Sequence, residues 1–299
     1  MSRKRSDTHS GSHYNYPLYY LLPGGIVLGL FFLAPTVMNF AYAFTNWSAF
    51  NPVISFNGLE NLADLMDSGK LLADIRVTII YAILVAIFQN TFGLALAVLF
   101  EEDTRLNRFG RSLFFIPVII SALAAGYIWQ AILRTNGVLN QMLSALAGHE
   151  VAIQWLGSPT WTIVLVAAVH AWKWMGFTML IYIAGLKTID TQVIEAATID
   201  GANKRQIFWK VKFPLLAPAF TFNIATALLG SMNSFDVVQA MTAGGPGQST
   251  EVLNLFIWNT FGKGLYAQST TMSLILFVLV AIMAVPLIMY LRKREEKAL

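Results

Sequence analysis

The segment LKTIDTQVIEAATIDGANKRQIFWKVKFP, Leu186–Pro214, stands between two long apolar runs and decides how the rest of the chain is read. Asp190 or Thr191 can accept hydrogen bonds from the first free amides of a helix, so the spacing predicts a helix running to Asp200. Ala196 and Ala197 keep one face of that helix small. Gly201 permits a break, and Ala202–Lys212 then forms a second, basic helix with Ile207, Phe208 and Val211 as its apolar face. Pro214 opens the next apolar run, where a missing amide proton is tolerated. The product is a helix–glycine–helix device held at a membrane surface, with a small-residue face suited to close docking of another protein.

Composition makes that surface a membrane. The 299 residues are 56% hydrophobic and 12% charged, about half the charged fraction of an ordinary soluble protein. A soluble globule of this size cannot hide so much apolar surface. The same figures exclude a disordered chain, a collagen-like repeat and a nucleic-acid-binding domain. There is no cysteine, hence no disulfide framework, thiolate nucleophile or thiolate metal site.

A span needs about 20 apolar residues. Six runs reach that length: Pro17–Phe44, Ile75–Phe100, Leu113–Leu133, Trp161–Leu186, Leu215–Ala240 and Ala267–Leu291. They are continuous rather than alternating, so the expected fold class is an all-α integral membrane protein and not a β-barrel. One six-span domain, residues 17–291, is expected between short tails at 1–16 and 292–299, with 187–214 as its long loop. The first run is too long for a cleavable signal peptide. Leu59–Leu72 and Asn136–Ala147 read as short amphipathic helices on the outer surface.

Basic residues orient the spans. Arg3, Lys4, Arg5, Arg105, Arg108, Arg111, Lys187, Lys204, Arg205, Lys210, Lys212, Arg292, Lys293, Arg294 and Lys297 fall on one side. Only Lys70, Arg76, Arg134 and Lys263 fall on the other. That bias places both termini in the cytoplasm, which requires an even number of spans. His9 and His13, on a Ser-rich tail, read as inert.

Polar groups inside a span are costly unless they face protein or water. The fourth run carries Lys173 beside Trp174 and Phe177, fourteen residues from both Pro159 and Lys187 and so too deep to reach either surface. The fifth run carries Asn233, Asp236 and Gln239, spaced to share a helix face. Lys173 is expected either to pair with Asp236 or to line a hydrated cavity. Amides plus aromatic faces are what a sugar ring needs. The bland alternative is hydrogen bonding between helices, and it is the reading adopted for Asn39, Gln89, Asn90 and His170.

The long connection also resembles the EAA motif of binding-protein-dependent ABC transporter permeases: EAA, three residues, G, nine residues, then I-x-L-P. Here Glu195-Ala196-Ala197, Gly201 and Val211-Lys212-Phe213-Pro214 stand at those spacings, with Val for Ile and Phe for Leu. Tyr182–Leu186, Ile199–Ala202 and Thr242–Pro246 look like the MalF-like type of the carbohydrate-importing branch. The resemblance implies a six-helix type I importer permease with a cytoplasmic coupling helix, in a bacterial cell membrane. Its implied partners are a second, MalG-like permease, two MalK-like ATPase subunits, an outer solute-binding protein and a sugar, expected to be an oligosaccharide.

Glu195, Ala196, Ala197, Asp200, Gly201 and Pro214 would then be the ATPase-coupling residues, and Lys173, Trp174, Phe177, Asn233, Asp236 and Gln239 the substrate path. The subunit is expected to be non-catalytic. ATP and Mg²⁺ would bind the ATPase partners, and this chain holds no P-loop. A polyol or glycerol phosphate is the nearest rival cargo. An ion-coupled carrier is a more distant one, since neither an inverted repeat nor a buried carboxylate relay is found.

Overall fold

A computed structural model describes residues 18–298, and every named element in them is a helix. Arg3, Lys4, Arg5, His9, His13 and Pro17 lie outside the described residues. The first apolar run forms α1 (Tyr19–Tyr42), whose turns widen at Gly29–Leu33. None of its residues from Leu22 onward is buried, so hydrocarbon or another chain must cover it. The segment expected at Leu59–Leu72 is split between α2 (Glu60–Asp67) and the start of α3 (Lys70–Leu99).

The third run does not form the straight span expected over Leu113–Leu133. It divides into α4 (Arg105–Ile119) and α5 (Ala122–Leu133), and the segment Ala122–Ala147 leaves α4 at 100°. Ile120 (ψ 139°) and Ser121 (ψ 141°) leave the helical region between them. Pro117 has already removed one amide from the last turns of α4. α6 (Val138–Ala147) follows where an outer helix was expected. The fourth run forms α7 (Pro159–Lys187), an unbroken helix of 29 residues.

The long connection folds into α8 (Thr191–Ile199) and α9 (Lys204–Ile207), the latter continuing in wider turns to Lys212. The chain bends by 65° between Lys204–Leu215 and α10 (Ala217–Met232). Pro218 causes this, because it cannot donate to the carbonyl of Pro214 and so opens the ladder at Leu216. The fifth run is also not one helix to Ala240 as expected. α10 stops at Met232 and α11 (Asp236–Thr242) begins after three residues. α12 (Leu253–Gly262) and α13 (Tyr266–Ala298) complete the chain. α13 runs on through Arg292–Arg294, residues expected in a separate tail, and places those cations near a helix C-terminus, where its dipole favours them.

α7 is the centre of the molecule, packed by α3, α4, α10 and α11. Its apolar residues are spread round the helix and not confined to one stripe, as suits a helix packed by neighbours on most sides. α3 and α7 run parallel in fixed register. Tyr81 Oη meets His170 Nδ1 at 2.8 Å, and Gln89 Nε2 donates to Thr178 Oγ1 at 2.8 Å, with the same sequence separation of 89. Further along, Tyr182 Oη donates to Asn90 Oδ1 at 2.6 Å. Close approach depends on Gly93, where a Cβ would stand 2.5 Å from Thr178 Cγ2. In hydrocarbon such rungs satisfy polar groups that water cannot reach.

Candidate functional site

Two sets of sequence-expected residues lie at different depths. The first is the helix–glycine–helix device. Asp190 Oδ1 accepts from the Gln192 amide at 2.9 Å and caps α8, as its position suggested. At the other end Gly201 has φ +80°, with its amide on Thr198 O and the Ala202 amide on Ala197 O, both at 3.0 Å. These two bonds make a Schellman closure, which needs a left-handed residue. A Cβ at Gly201 would meet nothing within 4 Å, so the requirement is conformational and not steric. Asn203 and Gln206 then cap α9 reciprocally, at 2.9 and 2.8 Å. The helix so capped starts at Lys204, two residues beyond the expected Ala202.

α8 is uncovered. It has no buried residue; Glu195, Ala196 and Asp200 are exposed, Ala197 is half-buried, and Ile199 is 86% exposed. Only Ile194 packs back, against the cluster of Leu186, Ile189 and Leu216. The device is nevertheless anchored to the bundle. Lys212 Nζ pairs with Glu101 Oε1 at 2.6 Å, while Arg111 holds the carbonyl of Phe100 with Nε at 2.9 Å and Nη2 at 2.6 Å. Arg111 thereby closes the C-terminal end of α3, where unpaired carbonyls and the helix dipole favour a cation. Pro214 is exposed and lies in the short turn Phe213–Leu215 before the bend.

The second set lies within the spans. Trp174 and Phe177, 6.4 Å apart edge to face, line a cavity of about 130 Å³ with Gln89, His170, Thr226 and Gly230. Gln89 and His170 thus serve both as interhelical hydrogen-bonders and as cavity wall. Lys173 does not line it, and its expected pairing with Asp236 is not formed. The buried ammonium donates instead to the Val118 carbonyl at 3.2 Å and sits 4.4 Å from the Trp174 ring. The cause is the break after α4, which frees that carbonyl.

The break in the fifth run separates the other expected residues. Asn233 is the exposed cap residue that follows α10, and its carbonyl accepts from Asn254 Nδ2 at 2.6 Å. Asp236 and Gln239, half-buried, belong to α11. Asn233 therefore does not share a continuous helix face with them. A lone polar spacing of three could not reveal this, because the helix stop depends on Asn254 from another element.

Helices broken within apolar runs, with a helix pair left exposed at one end, suit a membrane transport subunit. The profile of the family described as "Binding-protein-dependent transport system inner membrane component" matches residues 89–293. The chain belongs to that family. It is similar to a permease protein of a probable starch degradation products transport system, AmyD, from Thermoanaerobacterium thermosulfurigenes: 34% identity, covering 92% of this chain and 94% of the relative. It is similar to the multiple sugar-binding transport system permease MsmF of Streptococcus mutans, at 29% identity over 89% of this chain and 91% of that one. It is also similar to an sn-glycerol-3-phosphate transport system permease, UgpA, of Agrobacterium fabrum, at 30% over 89% and 92%.

The fold agrees with a crystal structure of a bacterial ABC transporter importing the acidic polysaccharide alginate, with a TM-score of 0.74 and 21% identity, covering 94% of this chain and 95% of that one. The chain is therefore an all-helical ABC importer permease, a membrane-embedded transporter subunit.

Proposed function

We propose that the chain forms one half of the translocation pathway of an ATP-driven importer of a neutral oligosaccharide. In this reading both termini face the cytoplasm, and α8 docks in a cleft of a cytoplasmic ATPase. Glu195 supplies the ionic contact, Ala196, Ala197 and Asp200 the close face, and Gly201 and Pro214 the two turns of the lever. A second permease faces the Trp174–Phe177 cavity to complete the path, two ATPase subunits drive it, and an outer solute-binding protein delivers the sugar. Asn233, Asp236 and Gln239 continue the path above the cavity.

The observation that carries this reading is the uncovered α8. An apolar side chain such as Ile199, 86% exposed beside Glu195 at the end of a bundle, calls for a protein surface opposite it. A rigid lever of that kind converts closure of an ATPase pair into rocking of helices. The cavity wall supports a neutral cargo. It offers an amide, an imidazole, a hydroxyl and two aromatic rings, and among the described residues no Lys or Arg lines it. A phosphate would call for such a cation. The relatives named for sugars agree with the neutral reading, and the one named for glycerol phosphate supplies the competing one.

The test is reconstitution with the partner subunits and binding protein, followed by ATP hydrolysis against a panel of substrates. Neutral oligosaccharides should stimulate hydrolysis and sn-glycerol-3-phosphate should not. The reverse ranking overturns the cargo assignment.

A further inference from the structure

From a groove at the crook of the lever, we infer that the chain binds an anionic phospholipid between α10 and the end of α13. The groove has a volume of about 290 Å³. Its floor is a single stripe of α10, with Ala217, Thr221 and Ile224 recurring at helical spacing and Phe220 beside them. Buried Leu291 and exposed Arg294, both on α13, complete the lining. Three residues of α13, about 4.5 Å of helix rise, separate that leucine from the cation.

Apolar side chains within a span, ending under one exposed arginine at the edge of the last apolar run, match an acyl chain below a phosphate. Basic pockets between transmembrane helices recognise headgroups in this way. Among the described residues Arg294 makes no ion pair, although Glu295 and Glu296 follow it directly. Its charge is available to a ligand. A free phosphate would explain the arginine and leave the apolar stripe bare. A neutral helix of another subunit would explain the stripe and leave the arginine.

Position gives the site a consequence. Phe213 and Pro214 close the same groove, so a lipid seated there touches the 65° bend that joins the long connection to α10. A bound lipid would hold that angle and stiffen the lever. Ligand occupancy of one bend state shifts the equilibrium only through such differential contact.

The test uses the whole transporter, purified and placed in nanodiscs of phosphatidylcholine alone or of phosphatidylcholine with phosphatidylglycerol. Native mass spectrometry should find phosphatidylglycerol retained on the wild-type chain. Retention should fall roughly fivefold for Arg294→Gln, the change expected for one cation facing an anionic headgroup, and should be lost for Ile224→Trp, which fills the groove. Wild-type ATP hydrolysis should differ between the two nanodiscs, and that of Arg294→Gln should not. Arg294 is exposed, so its variant does not threaten the fold. Equal retention by wild type and Arg294→Gln would overturn the inference. So would a cross-link from Thr221→Cys to the second permease, which would show that protein and not lipid fills the groove.

Discussion

The ammonium of Lys173, deep in α7, lies 3.2 Å from the carbonyl oxygen of Val118, one residue before α4 ends. The lysine occupies the C-terminal end of a broken span, where orphan carbonyls and the helix dipole both favour a cation. Its aliphatic stem is buried and its charge also faces the Trp174 ring, 4.4 Å away. Lys173 is thus a support for the bend between α4 and α5, and the cavity is walled by its neighbours.

For Lys173→Met this means a loss of stability with no change of preference. The Val118 carbonyl would lose its partner inside the membrane, at a cost of about 1–3 kcal/mol. Thermal unfolding of the purified transporter should shift down, while the ranking of sugars that stimulate ATP hydrolysis should stay as in wild type. A changed ranking at unchanged melting temperature would return Lys173 to the substrate path.

Trp174→Ala and Thr226→Val should do the opposite. Both residues line the cavity, and neither donates to the carbonyl freed by the break after α4. Loss of one stacking or hydrogen-bonding contact of about 1.4 kcal/mol corresponds to roughly tenfold in transport rate. Uptake of labelled sugar should fall by that order, unequally between sugars, with the complex still assembling. Wild-type uptake of every sugar by both variants would place the path elsewhere.

A third expectation concerns the opposite end of the bundle. Lys70 Nζ, at the start of α3, pairs with Glu251 Oε2 at 2.8 Å, and Asn259 Nδ2 holds the other carboxylate oxygen at 3.0 Å. The Glu251 side chain is 6% exposed, so removing its partner leaves a charge in poor solvent. Lys70→Met should cost about 3 kcal/mol of stability. The double variant Lys70→Met/Glu251→Leu should recover much of it. Denaturation of the single and double variants reads this directly, and equal losses in both would mean the pair is not the source.

Much of this architecture was legible in the chain, for identifiable reasons. Four of the six apolar runs form helices long and apolar enough to cross a membrane, and the third and fifth reach that length only as bent helix pairs. Asp190 and Gly201 announce the ends of α8 through local chemistry, a cap and a left-handed turn. The Asn203–Gln206 capping box was equally local, but the expected start at Ala202 missed it. The breaks after Ile119 and Met232 were not legible. Pro117 is tolerated within many membrane helices, and the carbonyl of Val118 that the break frees is satisfied by Lys173, 55 residues away. The end of α10 is likewise held by Asn254, 21 residues on. α12 escaped notice because its ten residues are apolar yet too short to cross.

The proposed coupling to an ATPase makes α8 the lever. Gly201→Leu forces a branched side chain into a left-handed position, at about 1–2 kcal/mol of local strain, and places it on the docking side. Glu195→Lys reverses the exposed charge. Neither residue is within a span or a core cluster, so insertion and folding should be unaffected. The deciding measurement is ATP hydrolysis by the reconstituted transporter with and without substrate-loaded binding protein. Both variants should be recovered in the membrane at wild-type levels and show no stimulation. Wild-type stimulation by both, with the ATPase bound, would contradict the lever.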